Sequence, residues 1–180
     1  AAALELDQTD LGALVARVVL GVEALAARRG STMTVAAPAL PVVAEADARR
    51  VERIVRNLIV NAIEHGDGKP ITITVGQNER AAAIAVRDHG VGLRPGETSL
   101  VFNRFWRADP ARARTTGGTG LGLAISLEDA RLHNGWLQAW GEPGKGSVFR
   151  LTLPRTEQSA IGESPVPLVP VSVADSDATT

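Results

Sequence analysis

The sequence predicts an α/β sandwich of the α+β class, with three main helices layered on one mixed β-sheet. Three observations lead there. Val51, Ile54, Val55, Leu58, Ile59, Ala62 and Ile63 fall at i, i+3, i+4, i+7, i+8 spacing, the stripe of a helix that lies on a core. Two pairs of strand-like runs, 71–75 with 82–86 and 136–140 with 147–153, are each joined through turn-forming residues. Helices and such pairs are interspersed, without the strict alternation that a doubly wound parallel sheet requires.

Leu4 and Leu6 alternate with Glu5 and Asp7, a short strand signal. Thr9 or Asp10 can cap a first helix whose apolar positions are Leu11, Leu14, Val15, Val18, Val22 and Leu25, and Gly30 stops it. A strand is expected around 32–35, then a connection bearing Pro38 and Pro41. Asp47 caps the second helix, the one with the stripe, and residues 66–70 form a loop. The first strand pair turns near 77–80. Residues 90–120 are rich in Gly, Pro, Thr and Arg around one apolar island at 100–106. A third helix is expected from about Gly120 to His133, stopped by Asn134-Gly135, and the last two strands flank a loop at 141–146. Residues 1–155 are expected to form the domain. Residues 156–180 turn to Pro, Ser, Thr, Asp and Val without periodicity and are expected to be a disordered tail.

The 180 residues have room for one such domain and a real core. A net charge of −1 gives no global attraction for nucleic acid or an anionic membrane, and the absence of cysteine excludes disulfides and thiolate metal sites. No stretch reaches the roughly 20 apolar residues of a spanning helix. The chain opens on Ala1, which reads as a piece of a longer protein.

Four constellations carry chemistry. Asn57 and Asn61, with His65 one turn on, form one row beside the buried stripe. They are either solvated amides or oxygen ligands for Mg²⁺, which takes carboxylate, carbonyl, water and phosphate oxygens. Asp88-His89-Gly90-Val91-Gly92 follows a strand; it is either a turn, or a carboxylate that accepts from an exocyclic amine such as adenine N6, with glycines that let backbone approach a planar ligand. Gly117-Gly118-Thr119-Gly120-Leu121-Gly122 precedes a helix. It is either a flexible loop, or a junction whose N–H groups and helix dipole suit a polyphosphate, and no Lys-Ser/Thr follows to make it a Walker A motif. Phe102-Asn103-Arg104-Phe105-Trp106-Arg107 is an apolar plug that anchors its loop.

In this order and at these intervals, the four resemble the histidine-kinase branch of the GHKL (Bergerat-fold) ATP-binding family. Asn57–Ala62 is similar to its N box, residues 88–92 to its G1 box, 102–107 to its F box and 118–123 to its G2 box. The likeness runs from about residue 4 to Pro154. It implies ATP and Mg²⁺ as cofactors. Asn61 would be the Mg²⁺ ligand, Asn57 a neighbouring Mg-phosphate contact, and His65 a further residue at the nucleotide. Asp88 would read the adenine amine, with Gly90 and Gly92 shaping the adenine wall. Gly118, Thr119, Gly120, Leu121 and Gly122 would close over the phosphates beneath a mobile lid at 93–119, and Arg107 would approach the γ-phosphate.

The resemblance also implies a catalytic domain that gives the γ-phosphate to a histidine on a separate dimerisation domain, for relay to a response regulator. Its parent would be a homodimeric plasma-membrane sensor with this domain on the cytoplasmic side. None of His65, His89 and His133 has the His-Glu-x-x-x-Pro-like context of the acceptor, so that helix is expected upstream of Ala1. Two departures bear on the chemistry. Glu64-His65 replaces the Lys-Tyr or Lys-His that many members carry, so Arg107, Arg112 or Arg114 would supply the missing phosphate-facing charge. Asn57 stands where the hydrolytic relatives (Hsp90, gyrase, MutL) place a glutamate base, and an amide cannot take a proton from water. Transfer is favoured over hydrolysis. The competing readings are an anti-sigma-factor-type serine kinase that captures a protein partner, against which the F box and long lid argue, and a GHKL ATPase.

Overall fold

Two aspartates start the two long helices. Asp10 Oδ1 accepts the Ala13 amide at 3.0 Å to open α1 (Leu11–Arg28), and Asp47 Oδ1 accepts the Arg50 amide at 3.3 Å to open α2 (Ala48–His65). Each carboxylate satisfies a donor left over by the first turn, and its charge meets the positive helix end. The computed structural model describes residues 3–103, 106 and 122–171. Around the two helices lie β1 (Asp7–Asp10), β2 (Met33–Ala36), β3 (Val43–Ala46), β4 (Ile71–Gln77) and β5 (Ala81–Asp88). A 3₁₀ turn (Glu97–Ser99), α3 (Gly122–Leu132), β6 (Trp136–Glu142) and β7 (Gly146–Pro154) follow.

One sheet has the order β2-β4-β5-β7-β6, with β2 and β4 parallel and the other neighbours antiparallel. All three helices lie on one of its faces, with the α2 stripe at their centre: its seven apolar residues are at most 1% exposed. Ile71, Ile73, Ile84, Val86, Leu151 and Leu153 meet that stripe from the sheet. The α/β sandwich is therefore the one the sequence predicts.

Two elements differ from expectation. The first strand lies at 7–10 instead of 4–6, so Asp10 both ends it and caps α1. Its antiparallel partner, β3, falls in the Pro-bearing connection, where four residues are too few to show a period.

The expected disordered tail is a larger departure. After residue 156 the chain passes Glu45 and Arg80, and at 164–168 it lies on the sheet face opposite the helices, a strap across β5 and β7. Ile161 and Val166 are each 5% exposed, and Val166 packs with Ala83, Ala85 and Val148. Arg150, directed outward from β7, donates from Nη1 to the Val166 carbonyl at 2.7 Å, and Thr152 and Ser164 share a hydroxyl hydrogen bond of 2.9 Å. The apolar residues of the strap are irregularly spaced because they fit the gaps of an existing surface, so no periodicity announces them. Residues 172–180 lie outside the described set.

A polar chain ties α3 to the start of α2. The carboxylate of Asp129 in α3 is almost fully buried and takes Arg50 Nη1 at 2.8 Å and Arg53 Nη2 at 2.6 Å. His133 Nε2 accepts the Asp47 amide at 3.1 Å, which leaves Nδ1 to donate to the Asp129 carbonyl at 2.7 Å.

Asp47→Ala is expected to cost about 1–2 kcal/mol in urea denaturation, the worth of a capping side chain. Burial pushes the Asp47 carboxyl up, but the Glu5 and Arg50 amides, the Arg50 guanidinium and His133 together hold it below 3.8. Its stabilisation is therefore present above pH 3.8 and lost as pH falls through the lowered value, so the two proteins should converge in acid. Val166→Ala is expected to cost about 1–2 kcal/mol through lost burial and the space left behind. Equal denaturation midpoints for this variant and the parent would mean that the strap adds no stability.

Candidate functional site

The helix that builds the core also carries the site. Beside its buried seam Asn57, Asn61 and His65 stand one turn apart, each half-buried. Asn57 Nδ2 donates to the Gly122 carbonyl and to Ser126 Oγ, both at 3.1 Å, and so reaches the first residue of α3. The Asn61 amide makes no hydrogen bond among the described residues. From Asn57 to His65 the row spans about 12 Å of helix.

Asp88 closes β5 at the other end of the row and is 1% exposed. Its Oδ1 accepts the Gly90 amide at 2.9 Å and its Oδ2 the Ser147 hydroxyl at 2.6 Å. Burial pushes its carboxyl above 3.8, while those two hydrogen bonds and the charges of His65 and Arg87 pull it back. A carboxylate offers about four lone-pair positions, so two remain for a donor on a ligand.

The loop after Asp88 is sewn in on both sides. The Val91 amide donates to the His65 carbonyl at 3.3 Å, and the Gly144 amide to the Val91 carbonyl at 3.1 Å. A Cβ at Gly90 would stand 1.8 Å from the His65 carbonyl oxygen, and one at Gly92, where φ is 74°, 1.8 Å from that of Glu142. Neither position admits a side chain. The loop is thus held against the end of α2 and the β6–β7 turn.

The apolar island docks as expected in its described part. Val101 is buried, Phe102 meets Phe149 edge-on with centroids 6.1 Å apart, and Trp106 packs against the main core. Of the residues singled out in the sequence, Asn57, Asn61 and His65 share one side of α2, Gly122 meets Asn57, Asp88 and Gly90 adjoin the end of the helix, and Gly92 packs on the β6–β7 turn. Arg107, Gly118, Thr119, Gly120 and Leu121 lie outside the described residues, as do Arg104, Phe105, Arg112 and Arg114.

Two residues escaped the sequence reading. Ser147 reaches Asp88 because the β5–β7 register sets them opposite each other, and Ser126 reaches Asn57 across two helices. Neither had a local signal; both contacts depend on register between distant segments.

The arrangement offers a buried acceptor at one end, an amide row along the middle and a helix N-terminus at the other, a set suited to base, metal-phosphate and phosphate groups. Among the described residues no group of three or more His, Asp or Glu side chains is arranged so that it could hold a metal ion. A divalent cation would instead take amide and phosphate oxygens, as Mg²⁺ does with nucleotides.

Comparison with known proteins identifies the family and the fold. Residues 46–157 match HATPase_c, described as histidine kinase-, DNA gyrase B- and HSP90-like ATPase. The chain is 55% identical over 170 residues to sensor histidine kinase MtrB of Mycobacterium tuberculosis, covering 94% of this chain and 30% of that protein. With MtrB of Mycobacterium leprae it shares 52% over 179 residues, covering 99% and 32%. It thus spans about a third of the curated relatives it matches. Among solved structures, full-length ShkA in complex with AMPPNP superposes with a TM-score of 0.76 at 26% identity, covering 89% of this chain and 33% of that one. The mycobacterial sensor histidine kinase MprB gives 0.69 at 26%, covering 83% and 97%.

The raised Asp88 carboxyl generates a pH prediction. In the unliganded domain its proton is held more tightly than in the unfolded chain, so its contribution to stability is present below pH 3.8 and lost as pH rises through the raised value. If Asp88 accepts an adenine amine, as the resemblance implies, it must do so ionised, and binding then has the opposite sign. Affinity for ATP should fall on acidification while pH is still above 3.8. Asp88→Asn should bind at least about tenfold more weakly near neutral pH and lack that acid limb. Parallel pH profiles of the two proteins in calorimetry would remove Asp88 from base recognition.

Proposed function

Because this chain belongs to the HATPase_c family of histidine kinase-, DNA gyrase B- and HSP90-like ATPases, in its histidine-kinase branch, we propose that it binds Mg-ATP and donates the γ-phosphate to a histidine on a dimerisation domain of its parent protein. The observation that supports this best is the α2 row, which leads from the buried Asp88 carboxylate to the N-terminus of α3. Asp88 accepts the adenine amine, and the loop closed by Gly90 and Gly92 forms the wall beside the base. The amide oxygens of Asn61 and Asn57 face the metal-bearing phosphates. Gly118, Thr119, Gly120, Leu121 and Gly122 enclose the polyphosphate, His65 lies near the base end, and Arg107 meets the γ-phosphate. Bound Mg²⁺ spreads and neutralises phosphate charge, which with positioning is most of what phosphoryl transfer demands.

Transfer is favoured over hydrolysis by Asn57. Its amide has no basic nitrogen, and both of its N–H groups have acceptors in α3. The acceptor imidazole takes the phosphoryl group as ADP leaves, and a response regulator then receives it. The segments at residues 104–107 and 137–144 resemble MtrB in their wording, which favours an MtrA-like regulator. The parent is a homodimeric membrane sensor, with this domain on the cytoplasmic side. No helix among the described residues is long and apolar enough to cross a membrane.

Calorimetry of the purified chain with ATP should show binding that weakens on chelation with EDTA; equal affinity in both would remove Asn61 from the metal. Radiolabelled ATP should leave the chain unlabelled and label a supplied dimerisation domain. Acid-labile label on His65 or His133 would overturn the assignment of the acceptor to another domain.

A further inference from the structure

Ser126 lies four residues into α3 and is fully buried. Serine is a poorer helix former than alanine, so a buried serine in a seam between two helices calls for a polar partner. That partner is Asn57 Nδ2, 3.1 Å from Ser126 Oγ and 3.1 Å from the Gly122 carbonyl.

The two contacts settle the orientation of the amide. A carboxamide nitrogen has two hydrogens, and here it meets two acceptors. The reverse orientation would set Oδ1 against the Gly122 carbonyl oxygen, which can only accept. Asn57 Oδ1 is left as the end of the amide without a hydrogen bond among the described residues, on the same helix row as Asn61. The same bonds hold the first residue of α3 against α2.

We infer that Ser126 is a positioning residue for Mg-nucleotide binding. With the Gly122 carbonyl it holds both Asn57 N–H groups, so that Oδ1 is presented to the metal-phosphate and not to α3. This rests on the Mg-ATP reading of the site. Ser126 touches neither nucleotide nor metal and acts through Asn57.

The test is a double-mutant cycle on the full chain, with Ser126→Ala, Asn57→Ala and the double variant, read by calorimetry of ATP binding with Mg²⁺ and with EDTA. Ser126→Ala should weaken binding about fivefold in Mg²⁺, the worth of one hydrogen bond, and stay within about twofold of the parent in EDTA. In the Asn57→Ala background the same substitution should cost nothing further. Equal losses with and without Mg²⁺, an undiminished loss in the Asn57→Ala background, or no loss in Mg²⁺ would each overturn the inference. So would a Ser126→Ala chain that no longer melts like the parent, which would place the hydroxyl in the fold alone. A parent chain that binds ATP equally in Mg²⁺ and EDTA would instead strike the Mg-ATP reading itself, a distinguishable result.

Discussion

Seven side chains of α2, from Val51 to Ile63, are sealed against the sheet and the flanking helices, and this seam fixes the polar row beside it. A helix has one rotation about its axis, so burying Leu58, Ile59, Ala62 and Ile63 dictates where Asn57, Asn61 and His65 must emerge. The end of the same helix takes the Val91 amide on the His65 carbonyl and thereby places the Asp88 loop. Packing energy spent on the core is also what holds the site in register.

The charged contacts run in the other direction, from the chain's N-terminal segment into α3. The Glu5 amide donates to Asp47 Oδ2 at 3.1 Å, Asp47 donates its own amide to His133, and His133 returns to Asp129, which grips Arg50 and Arg53. Each buried polar group in this series is matched, which is the condition under which such a network adds rigidity instead of strain. The two ends of α3 are thus anchored by different chemistry: an amide clamp at Gly122 and an ion network near Asp129.

Much of this was readable from residue spacing. The α2 stripe, the Asp10 and Asp47 caps and the strand pairs all rest on local patterns of a few residues, and all hold. β3 was hidden because its four residues acquire strand identity only from β1, across 39 positions of chain between Asp7 and Ala46 at the outer pair. Asp88 and the glycines announced themselves by type and order, whereas Ser147 and Ser126 did not, since any serine looks alike until register supplies its neighbour. The strap misled for a related reason. A segment rich in Pro and Ser has the composition of disorder, yet two well-placed aliphatic side chains and the Arg150 contact suffice to lay it down on a surface already built.

That strap gives the sheet a covered back. It lies on the sheet face turned away from the helices, and its last described residue, Val171, is 66% exposed. The α2 row and the described strap therefore occupy opposite sides of a single sheet. A reporter dye carried on the strap itself, at the exposed Val169 next to Leu168, would sit behind the sheet, where it can signal the domain's presence without shading Asp88 or the start of α3. An expression boundary drawn at residue 155 would instead cut away the cover of Ala83, Ala85 and Val148 and leave Arg150 without the Val166 carbonyl.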